Sequence, residues 1–187
     1  MIYTGKKTRI MNSLPFKNPL SLERSFFGLA FVLLGAALLT GILAALVSLS
    51  PAFLRDALPF ARLRPLHTFF SMSGLIAGML GLFEIMQLQI AKPPAVAPKE
   101  YNVYLLSFFA FCFSATISII WGHATGREYF SWPPILTPLL LMPLVRITYL
   151  HFAGHSRLIA ESPEGFWLTG TGIALLVGGI MESQLWL

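Results

Sequence analysis

Four histidines, His67, His123, His151 and His155, are the side chains of this 187-residue chain best suited to holding a metal, because a neutral imidazole carries a free nitrogen lone pair near pH 7. A lone histidine at a membrane boundary more often makes an interfacial hydrogen bond than a metal bond, so position has to decide. His67 and His123 stand at one side of the long apolar runs, and His151 and His155 at the other. A bilayer core is about 30 Å thick, too far for the two pairs to meet on one metal within a single chain. Two ionisable residues lie inside the runs. Glu84 and Arg146 are each about 9 Å from the inner ends of their segments at about 1.5 Å per helical residue, and the cost of a lone charge there predicts an ion pair. The plainer alternative is that each snorkels to the interface alone. A proton-path role for Glu84 ranks below both. The one cysteine, Cys112, has no partner for an intramolecular disulfide and reads as a small core residue.

The elements that must position these groups are membrane helices. The chain is 56% hydrophobic and 11% charged, against roughly a quarter charged in an average soluble domain. Its mean hydropathy is +0.72. A spanning helix needs about 20 mostly apolar residues. Five runs of that kind occur, at about 26–48, 66–90, 103–122, 135–152 and 166–187. The expectation is an all-α membrane protein, a bundle of about five transmembrane helices forming one domain over 1–187. Residues 1–25 form a basic inner-side segment. The first apolar run is too long for a signal peptide and lacks a small-residue cleavage site, so it reads as a retained anchor.

Charge gives orientation. With the N-terminus inside, the inner side collects Lys6, Lys7, Arg9, Lys17, Arg24, Lys92, Lys99 and Arg157, and the outer side Arg55, Arg62, Arg64 and Arg127. This asymmetry predicts N-in and C-out. The isoelectric point near 9.7 then reports topology, and no nucleic-acid partner is expected. The proline-containing stretch 91–100 reads as an inner turn, and 49–65 as an outer connection lying along the membrane surface. In the second run His67, Ser71, Gly74, Gly78 and Gly81 recur at steps of three or four and share one face. A face without bulk admits a neighbouring helix or a flat cofactor, and for any single glycine helix packing is the stronger reading.

Arg62-Leu63-Arg64-Pro65-Leu66-His67-Thr68 resembles the start of the second helix in the catalytic subunit of haem-copper oxidases, most closely the C-family (cbb-type) oxidases and the related nitric oxide reductases. Thr125-Gly126-Arg127-Glu128-Tyr129 with Trp132-Pro133 resembles the loop after that family's third helix. The resemblance covers about residues 55–152, the second to fourth spans. It implies that His67 is an axial ligand of a low-spin haem b, that Arg64, with Arg62 beside it, lies near the haem propionates, and that Glu128 helps to bind a calcium ion there. It also implies a multi-pass protein of the bacterial inner membrane, in or beside a respiratory electron-transfer complex. Phe69, Phe70 and Ser71 depart from the polar and small residues that usually follow the first motif, and Phe130-Ser131 stands where the family has a further acidic position.

Four histidines are too few for the family's full set of haem and copper ligands, so the chain alone is not a complete oxidase or reductase. A haem on His67 needs a second axial ligand. The candidates are His123, His67 of a second protomer across the small-residue face, or a histidine of another subunit. The expected partners are therefore membrane lipid together with a homo-oligomer or other membrane subunits. Two rival functions are a cofactor-free structural or assembly subunit and a haem-based gas sensor or carrier.

Overall fold

A computed structural model describes residues 20–50, 52–53, 57–91, 98–124, 132–145 and 163–182. Among these the chain is all helical. The elements are α1 (Leu20–Leu49), α2 (Phe60–Ala91), α3 (Pro98–Ile120), a shorter apolar helix α4 (Pro134–Val145) that opens with a 3-10 turn, and α5 (Pro163–Glu182). Segments Ser25–Leu49, Phe60–Phe83 and Asn102–Ile120 are long and apolar enough to cross a membrane.

The surface of α1 identifies its solvent. Phe31, Val32, Leu38, Leu39 and Ile42 are exposed, while Ala30, Leu33 and Ala37 are buried, so the helix is apolar on both its packed and its open faces. Such a helix is suited to lipid rather than water. Two of its hydroxyls are satisfied within the helix: Thr40 Oγ1 donates to the Ala36 carbonyl at 2.8 Å and Ser48 Oγ to Ala44 at 3.0 Å. The chain is therefore a membrane-associated, multi-pass helical protein.

The connection between the first two spans is shorter than expected, because α2 begins at Phe60 rather than near residue 66. The Pro59 carbonyl accepts the N–H groups of Arg62 and Leu63 at 2.8 and 3.2 Å, closing the first turn. Pro65 had suggested a boundary, but it lies inside the helix. There the Thr68 hydroxyl donates to the Arg64 and Pro65 carbonyls at 3.2 and 3.1 Å, bonds within the helix, while the carbonyl that a Pro65 N–H would have served is that of Ala61. Arg62 and Arg64 thus stand on the first turns of α2 and not on a surface loop. His67 lies seven residues into the helix, about 10 Å from its start.

The dominant packing is α1 against α2, and its seam is the small-residue face of α2. A Cβ on Gly74 would meet Leu34 Cγ at 2.9 Å, one on Gly78 would meet Ala30 Cβ at 3.8 Å, and one on Gly81 would meet Phe27 at 3.2 Å. These glycines let the helix backbones approach, which in a membrane supplies the van der Waals contact that drives association. The opposite side of α2 faces an aromatic core. Phe69 touches Phe70, Phe111 and Trp132 at centroid distances of 5.6, 5.8 and 5.9 Å, and Phe111 meets Trp132 edge-on at 5.0 Å.

Helix α3 joins the bundle through Phe108, which meets Phe26 of α1 edge-on at 6.2 Å, and through Ser107. The buried Ser107 hydroxyl is shared between the carbonyls of Tyr104 at 3.2 Å and Leu139 of α4 at 3.3 Å. Ser107→Ala removes this link between helices and is expected to cost about 0.6 kcal/mol, an ordinary interhelical bond in a bilayer, as read from thermal unfolding in detergent. Helix α5 packs against α2 and leaves Phe166, Trp167, Ile173 and Val177 exposed.

Candidate functional site at His67

His67 is half-buried, and its imidazole is turned toward α1. Its Nδ1 lies 2.8 Å from the Ala37 carbonyl oxygen. A carbonyl can only accept, so the hydrogen bond puts the proton on Nδ1 and leaves the lone pair on Nε2. Gly41, one turn beyond Ala37, gives the ring its place. A Cβ there would lie 2.9 Å from Nδ1 and 3.0 Å from Cε1 of His67. Ala37 and Gly41 were not singled out in the sequence, although two small residues four apart on the neighbouring helix are the signal that carries them.

This geometry leaves Nε2 as the ring's remaining nitrogen for a hydrogen bond or a metal. Histidines that ligate metals almost always donate the other ring N–H to a carbonyl or carboxylate, which fixes the tautomer and the ring orientation. One imidazole so anchored is chemically compatible with a single metal ligand at Nε2, and it is equally a hydrogen-bonded clamp between α1 and α2. Room for a flat group cannot come from the side of α2 that carries Phe69, because that side is filled by Phe111 and Trp132. Trp132 itself is buried, with its indole N–H 3.4 Å from Thr137 Oγ1.

His123 sits elsewhere. Gly122 has φ of +87°, its N–H donates to the Ile119 carbonyl at 3.0 Å, and the His123 N–H donates to Ser118 at 2.9 Å. These bonds make the Schellman stop of α3, with glycine at the left-handed position that favours it. His123 thus serves α3 through its backbone, and its side chain is exposed. The structure turns His67 into the α1–α2 seam and His123 outward, so the two imidazoles occupy different surfaces. Arg62 is the residue brought to His123's end of α3. Its guanidinium nitrogens Nε and Nη2 are 4.0 Å from where a Gly122 Cβ would stand, a favourable place for a cation beside a helix C-terminus. Arg64 is exposed on the first turns of α2.

Pairing of two His67 rings would have to run across the small-residue face. That face is covered by α1 of the same chain, through Leu34, Ala30 and Phe27, so a second protomer cannot approach along it. Glu128 with its expected calcium, Arg146, His151 and His155 lie outside the described residues, as does the side chain of Glu84, so the Glu84–Arg146 pair falls there too. Among the described residues no group of three or more His, Cys, Asp or Glu side chains gathers as a metal site. Cys112 is buried in α3, where a small core residue was expected. No family model matches the chain, and no curated protein or solved structure is significantly similar to it.

Proposed function

We propose that the protein is a haem b-associated subunit of a respiratory electron-transfer complex in the bacterial inner membrane, similar to the front part of a haem-copper oxidase core subunit, with five spans running N-in and C-out. The observation that carries this reading is the 2.8 Å bond between His67 Nδ1 and the Ala37 carbonyl, which leaves Nε2 as the free donor atom. Haem b, when bound, supplies reversible one-electron chemistry. The chain's own part is to hold the imidazole in one tautomer, to orient it through α1, and to set Arg62 and Arg64 one to two turns toward the outer end of α2. Guanidinium groups at that level balance propionate charge at the water boundary. With His123 turned outward, any further ligand that haem would need here is supplied from outside the chain.

The test is the haem-to-protein ratio of chain purified in mild detergent, read as the reduced b-type spectrum. His67→Ala is expected to reduce that ratio at least tenfold while far-UV circular dichroism stays helical. Equal ratios in wild type and variant, or no haem in either, overturn the proposal.

A second reading, a cofactor-free structural or assembly subunit, is favoured by a separate observation. The aromatic core of Phe69, Phe111 and Trp132 and the seam of Gly74, Gly78 and Gly81 are both filled by the chain's own side chains. In that reading His67 is a clamp between two helices. His67→Ala then lowers the melting temperature without any change in the visible spectrum.

A further inference from the structure

We draw no further inference here: the strongest candidate, the apolar groove between the starts of α1 and α3 walled by Leu29, Leu105, Leu106 and Phe109, carries nothing because nothing in the structure shows what covers it.

Discussion

Gly41→Leu is expected to destabilise the protein by about 2–3 kcal/mol, the upper part of the range for overpacking, and to unseat His67 in the same step. The new Cβ alone would stand 2.9 Å from Nδ1 and 3.0 Å from Cε1 of the imidazole. The ring cannot yield without breaking its 2.8 Å bond to Ala37, and the backbone of α1 cannot yield without opening the seam at Leu34 and Gly74. Either route loses a hydrogen bond between helices, about 0.6 kcal/mol in a bilayer and at most about 1.7, together with packing on both sides of it. Helix propensity works in the other direction, since leucine is better than glycine by roughly 0.8 kcal/mol, so the packing loss must exceed that before any effect is seen. Gly35→Leu isolates this term. Nothing lies within 4 Å of a Cβ at Gly35, so that variant should be neutral or slightly stabilising. Thermal unfolding of the pair in one detergent measures the difference. A Gly41→Leu protein as stable as Gly35→Leu would show that α1 and α2 do not meet at His67. In protein that retains haem, Gly41→Leu should also reduce the b-type spectrum, because the Nδ1 anchor is lost with the seat.

The sequence carried some of this fold openly and kept the rest implicit. Apolar length alone located α1, α2 and α3, because a single continuous run of about 20 apolar residues satisfies its own backbone groups inside hydrocarbon only as a helix. The start of α2 was misplaced because Pro65 reads as a boundary, whereas the structure carries it inside the helix, where an apolar helix tolerates a proline. The face of His67, Ser71, Gly74, Gly78 and Gly81 was legible as a face. What it faced was not, since a row of small residues states that something comes close without saying what. The answer lies on α1, in Ala30, Leu34, Ala37 and Gly41, and needs the antiparallel register of two helices.

His123 shows a different gap. Its type suggested a ligand, while Gly122 before it already marked the end of a helix, and the backbone of the pair performs that stop. Phe69 was noticed only as a departure from the oxidase-like pattern. Three-dimensional packing gives it a positive reason, because Trp132, from the second motif, rests on it. The residue that follows the first motif of the resemblance therefore touches the tryptophan of the second, two residues from His67, and neither string of residues states that contact.

That contact sets the second large effect. Phe69→Ala should cost about 3–5 kcal/mol, the range for truncating a buried phenylalanine. Phe69 is 0% exposed and adjoins three aromatic rings, Phe70, Phe111 and Trp132. Each such pair adds about 0.5–1.5 kcal/mol beyond the area it buries, so the loss belongs in the upper half of the range unless the bundle collapses into the space. Phe113→Ala is the control. Phe113 is 59% exposed and stacks on Phe109 at the lipid-facing side of α3, so its removal should cost under about 1 kcal/mol. Trp132 reports the change locally, since it is buried whereas Trp121 and Trp167 are exposed, and its emission should shift to the red in Phe69→Ala alone. Successive residues of a helix turn by about 100°, so Phe69 points away from the face that carries His67 and fixes the rotation of α2 from its far side. Losing it should let α2 rotate and loosen His67 from Ala37 without touching either residue. Equal stability of Phe69→Ala and Phe113→Ala, with Trp132 emission unmoved, would mean that α2 is not held from that side, and the orientation of His67 would then need another cause.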